Sequence, residues 1–79
     1  MAEDLIGSIT LMAVTFEVQD YFICDGRQLP ITQYQALFSL IGNRYGGDGR
    51  NNFNLPKMTA SDPNMRYYIC VNGYYPSRA

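Results

Sequence analysis

The segment YGGDGRNNFNLP, residues 45–56, puts three glycines, two adjacent asparagines and a proline inside a chain of only 79 residues. A loop of that length in so short a chain either binds something or is held by packing of its own. Gly46, Gly47 and Gly49 open backbone conformations closed to other residues, Asp48-Gly49 suits a tight turn, and Phe53 and Leu55 are placed to plug the loop onto a core. Phosphate binding fails on spacing: the P-loop and the dinucleotide turn set their glycines ahead of a helix, whereas these follow a helical stretch. Asp48 with Asn51, Asn52 and Asn54 offers oxygen ligands, but one carboxylate among amides, without EF-hand spacing, makes a poor calcium site. The expectation is a rigid, self-packed loop, with Asp48 and Arg50 as partners in a local salt bridge.

The rest of the chain must supply that core, and it is short. A domain of this size buries only about 60–65% of the surface its unfolded form exposes, so disulfides, a metal or a partner often complete the stability. Histidine is absent, which removes the usual zinc sets and imidazole catalysis. Cys24 and Cys70 each sit in an apolar run, YFIC and YYICV. A buried free thiol is the commoner outcome there, and a bridge between the two stays open. Association is the remaining route. Seven tyrosines against a single lysine suit a surface meant to be covered.

Charge and hydropathy narrow the partners. Six basic and seven acidic residues are scattered to a net charge of −1, so there is no electrostatic footprint for nucleic acid or an anionic membrane. No run approaches the roughly 20 apolar residues of a membrane span. The opening MAEDLIGSIT carries acids where a secretion signal carries lysine or arginine, so the chain is expected to mature where it is made.

Local patterns give a coarse α+β reading: a few antiparallel strands, one short helix and long ordered loops. Residues 5–16, LIGSITLMAVTF, alternate as a strand, with Leu5, Gly7, Ile9, Leu11 and Ala13 on one face and Ile6, Ser8, Thr10, Met12 and Val14 on the other. Both faces are partly apolar, which suits a neighbouring subunit. Asp25-Gly26, flanked by apolar residues, predicts a hairpin turn, with Asp25 a turn former and not a ligand or catalyst. Thr32 and Gln35 make a capping-box pattern, and Tyr34, Leu37, Phe38 and Ile41 then recur at helical spacing before Gly42 as a stop. This predicts a helix of about ten residues with a core-facing stripe. RYYICVNG reads as a last strand, with Tyr67, Ile69 and Val71 on one face and Tyr68 and Cys70 on the other. The tail GYYPSRA, with adjacent Tyr74 and Tyr75, is expected to lie against a surface.

No enzymatic machinery is nominated. Lys57 sits beside a proline turn, and the acids are isolated, with no pair set to be driven apart in pKa. The expectation is a non-enzymatic protein without metal or cofactor.

Residues 22–58, FICDGRQLPITQYQALFSLIGNRYGGDGRNNFNLPKM, closely resemble the phage tail collar domain family, which includes the collar of short tail fibres and the bacterial microcystin-dependent proteins. The pieces that carry the likeness are Cys24, Asp25 and Gly26; Leu29 and Pro30; Gln35, Ala36, Leu37 and Phe38; Tyr45, Gly46, Gly47, Asp48, Gly49 and Arg50; and Phe53, Leu55 and Pro56. IGSITLMAVTF is similar to the family's first strand, and YYICVNGYYPSR to the closing strand and tail of the microcystin-dependent branch. Two departures stand out. Tyr21 takes the place of the tryptophan usual before the CDG segment, and the variable section after Leu55-Pro56 is cut down to KMTASDPNM.

What the resemblance implies is a minimal tail-collar-like domain over residues 1–79, with 1–4 a flexible N-terminus and 73–79 a C-terminal tail. It implies a structural virion protein of a bacteriophage tail or phage tail-like particle, made in the host bacterial cytoplasm and placed on a tail fibre, tail tip or baseplate. Self-association, with a trimer favoured, other tail or baseplate proteins as partners, and a contribution to host attachment belong to the same picture. The alternative is a small carbohydrate- or receptor-binding module for a host surface glycan, with Tyr67, Tyr74 and Tyr75 stacking on sugar rings. Those three tyrosines are the candidate interface or ligand contacts.

Overall fold

The computed structural model describes residues 4–14 and 16–76. The expected flexible segment 1–4 therefore lies, apart from Asp4, outside the described residues, as do 77–79 of the tail. The elements in order are strand β1 (Ile9–Met12), β2 (Tyr21–Ile23), β3 (Gln28–Pro30), a 3-10 turn (Ile31–Gln33), helix α1 (Gln35–Ile41), β4 (Asn52–Asn54) and β5 (Arg66–Cys70). The fold is thus a small α+β one, with five short strands in antiparallel sheets and one short helix.

β5 runs between β1 and β2, giving a three-stranded antiparallel sheet in the order β1-β5-β2, while β3 and β4 form a separate antiparallel pair. Ile9 lies opposite Ile69 and Leu11 opposite Tyr67 on one side of β5; Phe22 lies opposite Ile69 on the other. Because successive strand side chains alternate in face, Ile69 and Val71 point into the main core. There they join Ile6, Cys24, Leu29, Leu37, Phe53 and Leu55, with Tyr67 packed alongside. Leu29 opposite Phe53 ties the β3–β4 pair to the same core. Tyr68 and Cys70 take the opposite face and are nonetheless fully buried, as the alternation in the sequence predicts.

Cover for that second face comes from the chain after β1. The Tyr68 hydroxyl lies 3.1 Å from the Val14 carbonyl and 3.0 Å from that of Phe16, so its one proton is shared between two acceptors. A tyrosine can be buried whole only when its hydroxyl finds such partners. Both cysteines are free and buried. Burial pushes the Cys24 thiol up to about 11, with the Asp25 carboxylate adding to it.

Four expectations meet corrections. The first strand is only Ile9–Met12 long, because Gly7 takes a positive φ of 89° and its N–H donates to the Cys70 carbonyl, while Cys70 donates to Ser8. That extra residue interrupts the ladder as a bulge does. Asp25-Gly26 does not close a hairpin: β2 and β3 belong to different sheets, and only Gly26 of the pair has a positive φ, 84°. The Asp25 carboxylate instead accepts the Arg27 backbone N–H at 3.0 Å, an Asx turn that redirects the chain to where Leu29 can meet Phe53. Thr32 is no cap, because it lies within the 3-10 turn; Tyr34 holds the N-cap position with no side-chain bond. Ile31 and Tyr34 pack on the core, and Tyr34 meets Phe22 edge-on at 5.6 Å, so packing sets the helix start where the capping pattern does not. The helix is consequently seven residues long. Gly42 does stop it, at φ 59° with its N–H on the Phe38 carbonyl at 2.7 Å.

Tyr68→Phe keeps the ring and removes the hydroxyl from between two carbonyls. The expected cost is about 1–2 kcal/mol, read as a lower urea midpoint at unchanged slope.

Candidate functional site

The glycine-rich segment connects α1 to β4 and answers many of its own polar groups, although Asn54 Oδ1, packed against Gly46, is buried without a partner. Asp48 Oδ1 accepts the backbone N–H groups of Arg50, Asn51 and Asn52 at 2.8, 2.9 and 3.2 Å, and the Asp48 N–H donates to Asn52 Oδ1 at 3.0 Å. The Gly49 N–H donates to the Asn52 carbonyl and the Asn54 N–H to the Gly46 carbonyl, both at 3.0 Å. Those backbone donors hold the Asp48 carboxyl below its ordinary value of 3.8, because each N–H stabilises the charged form. Arg50 is linked to Asp48 through its backbone N–H, and this replaces the expected salt bridge. The carboxylate oxygen already gathers three amides, which a turn can deliver at fixed geometry.

Gly47 shows how closely the loop is packed. It has φ +92°, and a Cβ there would come within 2.6 Å of the Phe53 Cα and 2.9 Å of the Asn52 carbonyl. Phe53 and Leu55 are buried to 0% and 1% exposure, and Phe38 stacks at a tilt on Phe53 at 5.4 Å. Of the residues in the motif, Cys24, Leu29, Leu37, Phe53, Leu55 and Pro56 are buried, whereas Asp25, Pro30, Gln35, Ala36, Tyr45, Gly47, Asp48 and Arg50 face solvent.

A second cluster pins the turn before β3. The Arg27 guanidinium bonds Asp25 at 3.1 and 3.2 Å, reaches Glu17 at 2.6 Å, and lies 5.0 Å over the Phe22 ring. Arg27 holds the Asp25 carboxyl below its usual range, chiefly through those side-chain bonds. Residue spacing offered no hint of the Glu17 contact, which brings together two loops ten residues apart. Beside this cluster lies an open groove of ≈ 310 Å³ lined by Ile23, Asp25, Lys57, Met58, Met65 and Arg66 among others. Among the described residues no group of three His, Cys, Asp or Glu side chains could hold a metal. No described helix is long and apolar enough to cross a membrane.

The candidate tyrosines differ in burial. Tyr67 is half-buried against the core opposite Leu11. Tyr74 and Tyr75 are 63% and 53% exposed, with the Tyr75 hydroxyl 2.6 Å from Ser39 Oγ on α1. Further apolar exposure falls on Leu5, Ile9, Leu11 and Phe16, at 47, 41, 41 and 66%. The two partly apolar faces of residues 5–16 were its signal in the sequence.

Two measurements check the loop. Gly47→Ala is expected to lose at least about 1–3 kcal/mol from the forced left-handed backbone alone, seen in equilibrium denaturation. Asp48 has a depressed folded pKa, so its stabilisation is complete above the unfolded value and drains away as pH falls through the lower folded value. Acid unfolding of the wild type below about pH 4 should therefore be shallower in Asp48→Asn, while Asp25, whose carboxyl Arg27 also holds low, still contributes; an unchanged acid limb would sink the assignment.

A family model described as Phage Tail Collar Domain matches residues 7–63, from before β1 to the approach to β5. No curated protein matches the chain. The matched stretch contains the whole self-bonded loop, the Asx turn at Asp25 and the helix stopped by Gly42. The chain belongs to the phage tail collar domain family.

Proposed function

We propose that this chain is a non-enzymatic structural part of a bacteriophage tail or phage tail-like particle, placed on a tail fibre, tail tip or baseplate, which joins copies of itself to other tail proteins and contributes to host attachment. The observation that carries the reading is the family match over residues 7–63, more than half the chain. The character of the loop supports it. Asp48, Gly49 and Asn52 spend hydrogen bonds on one another and Gly46 bonds Asn43 and Asn54, which makes the segment a rigid strut more than a ligand cradle. The exposed Leu5, Ile9, Leu11 and Phe16 supply apolar area for assembly.

The exposure of Tyr74 and Tyr75 favours a second reading, a glycan-binding module in which those rings stack on sugars. Assembly tyrosines disappear under a neighbour, whereas ligand-binding ones stay open.

Antibody labelling of tailed particles from the source, imaged by electron microscopy, tests the first reading. Label is expected on the particles, at the fibres or tip for an attachment role and at the baseplate for a joining role; particles without label would overturn it in favour of the free module. Tyrosine nitration separates the readings further. Protection of Tyr74 and Tyr75 only in the assembled form would count against glycan binding.

A further inference from the structure

β1 is the outermost strand of its sheet, and among the described residues no strand pairs with its outer edge. Cys70 donates its N–H to the Ser8 carbonyl at 2.9 Å, so Ser8 and Cys70 form a bonded pair. In an antiparallel ladder every second pair is bonded. Thr10 with Tyr68 and Met12 with Arg66 are then the bonded pairs, and the backbone groups of Ile9 and Leu11 point away from β5. The far side of β5 agrees: Val71 donates to the Asp20 carbonyl and Cys24 to the Tyr67 carbonyl, so the odd-numbered residues of β5 serve β2. Two N–H and two C=O groups therefore face outward from β1, and among the described residues no strand lies beyond them.

Proteins that stay apart guard such an edge with lysine, proline or an inward-pointing charge. Between Asp4 and Glu17 this chain has neither a charge nor a proline. Ile9 and Leu11, whose side chains lie on the core side of the sheet, are each 41% exposed.

We propose that the occupant of this edge is β1 of a second copy, paired antiparallel about a twofold axis through Thr10. In that register Ile9 lies opposite the partner's Leu11 and Leu11 opposite the partner's Ile9. All four outward backbone groups are answered, and the two exposed aliphatic pairs merge into one strip on the core side. Thr10 faces the partner's Thr10 as a close, non-bonded pair on the other face, a favourable cross-strand combination. The segment is uncharged, so identical strands meet without the repulsion that like charges directly opposite would bring. The contact is isologous and closes on itself at six strands. It makes the elementary unit a dimer where the resemblance implies a trimer. The inference rests on the self-association in the reading above and not on a position in the particle.

The test is the sedimentation of the full chain and two variants. Leu11→Pro removes an N–H that β5 does not use, a place where an edge strand tolerates proline. Two of the four edge bonds go with it, and dimerisation is expected to weaken about a hundredfold while circular dichroism stays that of the folded chain. Thr10→Cys is expected to form a disulfide-linked dimer on mild oxidation, because the close pair brings the two side chains within bridging distance; Ile9→Cys is not. Cys24 and Cys70 are too buried to compete. A wild-type chain that is monomeric, alone or until a different tail protein is added, overturns the proposal and the self-association with it. A dimer or trimer that ignores Leu11→Pro and fails to link through Thr10→Cys keeps self-association and overturns the β1 edge. If Leu11→Pro fails to fold, the cysteine pair decides alone.

Discussion

The insertion of β5 between β1 and β2 is the pairing on which the remaining structure depends, because those two outer strands never touch each other. β5 lies more than 50 residues after β1 and more than 40 after β2. The loops that its docking closes are long, and their entropy is spent before the pairing returns anything. Docking brings Ile69 and Val71 into the main core and seals Tyr68 on the opposite face. Full burial of side chains of this size is worth about 1.5–3 kcal/mol each, which is why one five-residue strand can hold together so thin a molecule. The strand lies beyond the stretch that matches the family model, so a shared frame is closed by a segment outside that match.

Within the frame, the loop of residues 45–56 does by hydrogen bonding what a larger protein would do by burying more surface. One carboxylate oxygen gathers three amides, and glycine at 47 allows the backbone to lie against Phe53. The loop is then fixed by specific bonds and close packing although it has no repeating geometry. Its plugs, Phe53 and Leu55, sit where β3, β4 and α1 meet the sheet.

Much of this was legible in the sequence, and the parts that were not share a cause. Alternation in RYYICV fixes which side chains of β5 face the core, because a period of two has no alternative once one face is buried. Gly42 as a helix stop and Phe53 and Leu55 as plugs follow from local chemistry in the same way. Asp25-Gly26 misleads because turn chemistry says that the chain bends and nothing about which strands it will join. Thr32 and Gln35 mislead because Ile31 and Tyr34, with their own places in the core, move the helix start. Asp48 and Arg50 look like an ion pair because charge is visible in a sequence and a backbone amide is not. The Glu17–Arg27 contact and the open edge of β1 arise only from the way β5 arranges the chain.

The contact between the two ends of the described chain has a mechanical side. Leu5 and Tyr74 form a parallel bridge, with the Ile6 N–H on the Tyr74 carbonyl at 2.8 Å and the Tyr74 N–H on the Asp4 carbonyl at 3.0 Å. Parallel neighbours send the chain upstream of one and downstream of the other in opposite directions. Tension applied at both ends therefore pulls the two segments past each other, loading their hydrogen bonds sideways and together. An antiparallel clasp in the same place would peel open one bond at a time. Whatever the chain is tethered to, Leu5 and Tyr74 are joined in the geometry that shears and does not unzip.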